Sequence, residues 1–414
     1  MTEPTISIDR MLSGVEALGR IGADPRGGLS RLGLSPQEQV AHEWFKQEAS
    51  RLGARLRSDA AGNLFARIDG ERPDLPPLMT GSHLDTVPNG GKYDGAAGVV
   101  IALEVARALT ESGQTLRHPL ELVVFRAEEP SPFGMSTFGS RALAGRLRPE
   151  ELDALDARGK TVREALRSVG GDPDRIGEAR MKAGDAAAYL EVHNEQGPHL
   201  ERAGLPIAVV TEIAGIKRAR WRVLGEPNHS GTTAMADRRD ALIGAAEIAL
   251  AVERLAKAYD GAVGTVGVLE VHPNAANIVP GAVDLCWEIR SCAPADLTAL
   301  ERQLDEAARA IVARRGLRLE ESTRSNSQTA GADAAVLAAL RAACDAAGVE
   351  ALELRSMAGH DASHMAAFTK IGMLFLRSTG AKSHVPEEHS PPESLAAAAS
   401  VMLDAVLRLD RDLE

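Results

Sequence analysis

Five short segments of this 414-residue chain gather the side chains that could do chemistry. They are Gly81-Ser82-His83-Leu84-Asp85-Thr86, Tyr93-Asp94-Gly95, Ala127-Glu128-Glu129, Glu191-Val192-His193 and Ser383-His384-Val385-Pro386-Glu387-Glu388. Each supplies an imidazole or a carboxylate and none a thiol, a donor set suited to zinc, manganese or cobalt. Two divalent cations about 3.5–4 Å apart need a ligand with two donor atoms, and a carboxylate such as Asp94 provides them. Asp85, two residues after His83, can accept the hydrogen of the imidazole's other nitrogen and hold its tautomer. The pair Glu128-Glu129 suits a division of labour, in which one carboxylate binds a metal and its neighbour takes a proton from water. Any one of these patterns recurs by chance: His-x-Asp is common, and Glu-Glu pairs are usually solvated surface. The order and context of all five carry the information. His42, His118, His199, His272, His364 and His389 lie outside that constellation and read as surface or structural histidines.

Stiff elements must hold these segments. Residues 119–126 (PLELVVFR) read as a buried strand that ends at the Glu pair, and residues 188–193 as another that ends in polar residues. The apolar run 77–80 leads into a loop over 81–93 and then a helix from Asp94 to about Ser112. Residues 35–52 predict a helix with Ser35 as N-cap and Glu38 three positions on. This alternation predicts an α/β fold, a mixed and mainly parallel sheet covered by helices, with ligands beyond the carboxyl ends of its strands. Between about residues 214 and 330 the pattern changes. Residues 218–223 alternate Ala219, Trp221 and Val223 with three arginines, and residues 284–290 alternate Leu285, Trp287 and Ile289 with Asp284, Cys286, Glu288 and Arg290. Helices are expected at about 239–258 and 294–314. Such half-polar strands predict an antiparallel sheet packed on helices on one face. The expected organisation is therefore a catalytic domain over 1–213 and 330–414, with helices near 333–347 and 391–410, and an inserted smaller α+β lid or dimerisation domain over 214–329.

Composition narrows the function. The length alone predicts two domains. A formal charge of −11 argues against nucleic acid or an anionic membrane as a partner, so an anionic substrate needs a local basic residue. Three cysteines without CxxC spacing predict neither a disulfide framework nor a zinc knuckle. The N-terminus lacks a basic region followed by an apolar run, and no apolar stretch approaches the roughly 20 residues that span a bilayer. A cytoplasmic location is expected.

The chain resembles the M20 metallopeptidase-like superfamily and, within it, the hydantoinase/carbamoylase branch. The resemblance covers nearly the whole length and rests on GSHLDTVPNGGKYDGAAGV (81–99), AEEPSPFGMSTFGSRALAG (127–145), EVHNEQGPHLE (191–201), NHSGTTAMADRRDA (228–241), NIVPG (277–281), EIRS (288–291), AGHDA (358–362) and SHVPEE (383–388). It implies His83, Asp94, Glu129, His193 and His384 as ligands of two divalent ions, zinc or manganese with cobalt as a third candidate, and Asp94 as the bridge. It implies Glu128 as general base and proton donor, and His229 as oxyanion stabiliser and substrate contact. Asn277, Arg290 and the backbone at Gly359 are implied to bind substrate, with Gln196 and His360 near the site. The implied reaction is cleavage of the ureido C–N bond of an N-carbamoyl amino acid or related ureido acid, releasing ammonia and carbon dioxide, by a homodimer. Allantoate and ureidoglycolate are the alternative substrates; the rival readings are an M20 aminoacylase or dipeptidase and a non-catalytic scaffold. All five ligands and the base are present, which disfavours the scaffold. The chain departs from the pattern at Pro132, where an Arg is common, at Ile216-Lys217 in place of a polar Gln, at Ala234 in place of Pro and at Glu288 in place of Asp. No proposed ligand is touched; Ile216 and Pro132 bear on the substrate.

Overall fold

The computed structural model describes residues 2–130 and 132–413. Its contacts divide into two units. The first comprises Met1–Thr211, Gly331–Leu354 and His360–Glu414; the second comprises Glu212–Ala330 with Arg355–Gly359. The short stretch around Gly359 thus falls in the second unit.

The first unit is built on a mixed sheet. Four parallel strands form its centre, in the order Leu120–Phe125, Leu78–His83, Ala188–Asn194 and Lys370–Leu376. Leu64–Ile68 and Arg55–Ser58 extend one side antiparallel, and Ile207–Ile213 runs antiparallel on the other. The central strands are apolar runs because both faces are covered. Helices Ile8–Leu18, Ala96–Ser112, Ala334–Ala347 and Pro392–Asp412 contribute to one continuous core with residues of the sheet, including Val15, Val99, Leu190, Leu374 and Met402. Each such aliphatic side chain taken fully out of water contributes roughly 1.5–3 kcal/mol. Because the four strands are parallel, their carboxyl ends lie along one edge of the sheet.

Two boundaries differ from the sequence expectation, each for a local reason. The strand begun at residue 78 continues to His83, since Gly81, Ser82 and His83 pair with Val123, Val124 and Phe125. The next helix starts at Ala96 instead of Asp94, because Gly95 adopts φ +62°, a left-handed conformation no helix contains. The run Lys370–Leu376 was not anticipated as a strand. The helix Pro36–Arg51 does begin at Ser35, whose hydroxyl accepts from Glu38 N.

The second unit is a four-stranded antiparallel sheet, ordered Arg318–Ser327, Gly215–Leu224, Ala282–Ser291 and Val263–His272. Helices Ala241–Ala256 and Pro294–Arg314 cover one face. The expected alternation is observed: Ala219, Trp221, Val223, Leu285, Trp287 and Ile289 are buried, while Arg218, Arg220 and Arg222 are exposed. Trp221 and Trp287 meet edge to face, their ring centres 5.2 Å apart. A two-stranded ribbon, Asn228–His229 with Ile278–Val279, stands apart from this sheet.

Candidate metal centre

Three of the four parallel strands deliver candidate site residues at or just past their carboxyl ends: His83, the Glu128-Glu129 pair and His193. Asp94 comes from the turn before helix Ala96–Ser112, and His384 from the loop after the fourth parallel strand. His83 Nε2 and His193 Nε2 lie 3.4 and 3.2 Å from Asp94 Oδ1. His384 Nε2 lies 3.5 Å from Asp94 Oδ2 and 3.0 Å from Glu129 Oε1. Two groups able to hold a metal ion result, His83–Asp94–His193 and Asp94–Glu129–His384, and Asp94 is common to both. Its two oxygens face different groups, as a bridging carboxylate requires.

The orientation of the imidazoles tests the fit. His83 Nδ1 faces the main-chain oxygen of Asp85 at 3.2 Å, and His193 Nδ1 faces that of Asn194 at 3.0 Å. A carbonyl can only accept, so each Nδ1 carries hydrogen and each Nε2 presents its lone pair to Asp94's side of the site. His83 Nε2 and Asp94 Oδ1 are buried without a hydrogen-bond partner. Opposed lone pairs of this kind are stable only around a cation or a shared proton. The charge balance points the same way. Asp85, Asp94, Glu128, Glu129, Glu191, Asp361 and Glu388 are all buried within this part of the first unit, and the imidazoles of His83, His193 and His384 pair with the first four of them. Burial works against the charge on Asp94, but His193, His384 and His83 overcome it and hold its carboxyl well below the usual range. Hydrogen bonding to Asp94 and Glu129 drives His384 up to about 11. The residues present fit a pair of such ions.

Glu128 sits apart from both groups, with Oε2 3.9 Å from His83 Nε2. Burial pushes its carboxyl well above the ordinary range; His83 opposes the shift and the charges of Glu129, Asp361 and Asp85 reinforce it. A carboxylate so placed has a strong tendency to take up a proton. The turn that carries it is strained, since Ala127 has φ +51°, at a cost of about 1–2 kcal/mol for a residue with a side chain. Buried carboxylates stake it down. Asp85 Oδ1 and Oδ2 accept from Glu128 N and Glu129 N at 3.0 and 2.9 Å, and Glu38 Oε1 accepts from Ala127 N at 2.8 Å. Asp85 therefore does more than the sequence suggested: it lies beside His83 and also sets the turn of the Glu pair. Gly95 is required twice over, by its φ and because a Cβ there would lie 2.5 Å from the His83 ring.

Gln196 and His360 also lie at this site. Gln196, itself at φ +60°, donates from Nε2 to Asp94 Oδ2 at 2.8 Å, and its Nε2 is 3.1 Å from His384 Nε2. The His360 ring packs edge-on against His193, centroids 4.5 Å apart. The other predicted residues belong to the second unit. His229 and Asn277 are neighbours on the small ribbon, where Ser230 N donates to Asn277 O at 3.0 Å. His229 Nδ1 accepts from Gly231 N and Thr232 N at 3.1 and 3.2 Å, which fixes the neutral ring with hydrogen on Nε2. Arg290 donates from Nε to Glu288 Oε1 at 2.6 Å and from Nη1 to Met357 O at 2.8 Å. Ile216 pairs with Arg290 across the sheet, and its Cδ1 would lie 3.4 Å from a Cβ built at Gly359. Glu38, Glu191, Ser383 and Glu388 were missed as supports of the site; of these, the last three stand inside the quoted motifs. A third group, Glu270, His272 and Asp284, lies on the second unit's sheet. There Asp284 is already compensated by His272 at 2.9 Å and Arg222 at 3.5 Å.

A parallel sheet whose strand ends gather a shared-carboxylate His/Asp/Glu cluster suits metal-assisted hydrolysis. The chain belongs to peptidase family M20/M25/M40, which it matches over residues 79–408. It is 36% identical to an N-carbamoyl-L-amino acid amidohydrolase of Geobacillus stearothermophilus over 401 residues, 97% of this chain and 98% of that one. It is 35% identical to a ureidoglycolate hydrolase of Arabidopsis thaliana, covering 96% of this chain and 86% of the relative. Among solved structures, an amidase of the hydantoinase/carbamoylase family from Burkholderia vietnamiensis superposes with a TM-score of 0.88 at 33% identity, over 100% of this chain and 99% of the other.

Proposed function

We propose that this chain is a hydrolase of the ureido C–N bond of an N-carbamoyl amino acid or a related ureido acid, yielding ammonia, carbon dioxide and the amino compound. The observation that carries the reading is the pair of ligand groups sharing Asp94, with Glu128 beside them and outside both. His83, Asp94 and His193 would hold one divalent ion and Asp94, Glu129 and His384 the other, zinc, manganese or cobalt. Such ions, when bound, supply Lewis acidity that makes water a better nucleophile and polarises the carbonyl. Glu128 takes the proton from the attacking water on its carboxylate and returns it to the departing nitrogen. His229 donates from Nε2 to the developing oxyanion, a contribution of about 3–4 kcal/mol for a well-placed donor. Its ring is already in the tautomer this needs.

Arg290 grips the substrate carboxylate, with Asn277, the Gly359 backbone, Gln196 and His360 as further contacts. Glu288 and Met357 O take one hydrogen each from Nε and Nη1, and the Nη1–Nη2 edge of the fork remains for a bidentate carboxylate. Ile216 beside Arg290 and Gly359 makes this surface apolar, which favours an N-carbamoyl amino acid over the more polar allantoate. We assign the protein to the cytoplasm; none of its described helices is long and apolar enough to cross a membrane. We also assign it a homodimeric state: on the second unit, Ile243 and Leu250 of helix Ala241–Ala256 and Val263 and Leu269 of the edge strand are exposed, apolar surface that a second copy can cover.

The test is a substrate panel of N-carbamoyl-L-amino acids, ureidoglycolate, allantoate and N-acetyl amino acids, with ammonia release and free amino acid both measured for the metal-loaded protein. Turnover of carbamoyl compounds without deacetylation is expected. Turnover of allantoate alone would contradict the substrate assignment, and cleavage of N-acetyl compounds alone would contradict the reaction.

A further inference from the structure

Glu388 is a member of neither ligand group, yet it touches both loops that bring Asp94 and His384. The residue is 3% exposed. Oε1 accepts from Tyr93 N at 3.0 Å and Asp94 N at 2.9 Å, and Oε2 accepts from Ser383 Oγ at 3.0 Å and His384 N at 3.2 Å. Ser383 Oγ also lies 3.1 Å from Asp94 Oδ2. Four donors from two loops, with Asp94 and Glu388 separated by 294 positions in the chain, converge on one planar group. The loops approach this closely because Gly91 has no side chain: a Cβ there would lie 2.3 Å from Glu388 Cβ and 2.4 Å from Oε1. His384 has φ +60°, so its main chain needs an external restraint, and Glu388 supplies one at its N–H.

We infer that Glu388 is a positioning residue that fixes the spacing of Asp94 and His384, and through it the affinity of the ion position they share with Glu129. The inference rests on the proposed reading of Asp94 and His384 as ligands. In Glu388→Gln one oxygen becomes an NH2 group, so one loop meets a donor where it needs an acceptor, a buried mismatch that forces the loops apart. Gly91→Ala keeps the carboxylate chemically intact but pushes it off its partners.

The experiment is a zinc titration of apo-protein against a chromophoric chelator, for wild type and both variants, with circular dichroism and melting followed in parallel. Wild type is expected to take up two ions. Both variants are expected to keep the folded spectrum, bind one ion as wild type does and bind the other on the order of 10–100-fold more weakly. If Glu388→Gln fails to fold, Gly91→Ala alone decides. Unchanged affinity for both ions, even with a lowered melting temperature, makes Glu388 merely structural and overturns the inference. A wild type that takes up no zinc overturns the ligand reading beneath it instead.

Discussion

The two sheets solve opposite problems. The second unit's sheet keeps one polar face and buries the other, so its core is apolar and centred on Trp221 and Trp287. The first unit's parallel sheet is covered on both faces, yet at its carboxyl edge it buries seven carboxylates and two imidazoles, Asp85, Asp94, Glu128, Glu129, Glu191, Asp361 and Glu388 with His83 and His193, beside the exposed ring of His384. Burying charge costs several kcal/mol per ion unless partners repay it. The site meets that cost with imidazoles, with backbone amides donated to Asp85, Glu38 and Glu388, and with ions when they are bound. Stability in one unit comes from area, whereas in the other the same chain invests in placing charge.

The contrast can be broken at its extremes. Glu128→Gln should lower kcat by a factor on the order of 10²–10⁴ and leave metal content and melting temperature unchanged, since in the proposed reading Glu128 holds no ion. His83→Ala and Glu129→Ala should lose metal as well as turnover. Metal analysis and steady-state kinetics on the three variants check this; loss of metal from Glu128→Gln with retention in Glu129→Gln would exchange the two roles. Trp287→Ala should do the reverse, destabilising by about 3–5 kcal/mol through the cavity it leaves, while the folded protein still binds metal. Denaturant unfolding followed by fluorescence, with metal content measured on the folded fraction, separates the two effects.

A smaller effect belongs to Arg290. Arg290→Lys loses bidentate geometry, so KM for a carbamoyl amino acid should rise about 10–100-fold, the value of one to two charge-assisted hydrogen bonds, without change in metal content. Carbamoyl compounds without a carboxylate should be poor substrates of wild type and indifferent to the change. If KM is unmoved, Arg290 serves only its ion pair with Glu288.

The smallest effect is on pH dependence. His364 is buried; burial first, then Arg146 and Arg141, pulls its ring down to about 3. Its folded-state value is depressed, so the unfolded chain takes up a proton below about 6.5 that the folded chain refuses. Stability tied to this group is present above pH 6.5 and drains away as pH falls toward 3. His364→Gln should flatten the acid limb of the melting curve against pH in that window; an unchanged limb would assign it to other groups, such as the buried His42.

Much of this contrast was legible in the residues. Alternation at 218–223 and 284–290 predicted the second unit's sheet because period-2 burial is written directly into a half-buried strand. The side chains that meet around Asp94 were legible because each stands at or just beyond an apolar run or in a recognisable motif. What stayed hidden depends on long-range geometry. Lys370–Leu376 lacks alternation because it is covered on both faces, and its pairing with Ala188–Asn194 joins segments far apart in the chain. The helix start at Ala96 depends on the φ of Gly95, and the role of Asp85 on two amides more than 40 residues away. Glu388 stands in a quoted motif, but its role depends on four donors that only the fold brings to it.

The most direct test of the central claim, that Asp94 joins two cation positions in a ureido-hydrolysing site, is a stoichiometric metal titration of thoroughly stripped protein with ammonia release from an N-carbamoyl amino acid as the readout. Stripped protein should be inactive, activity should return with zinc, manganese or cobalt, and it should level off at about two ions per chain. Full activity in protein shown to be free of metal would contradict it.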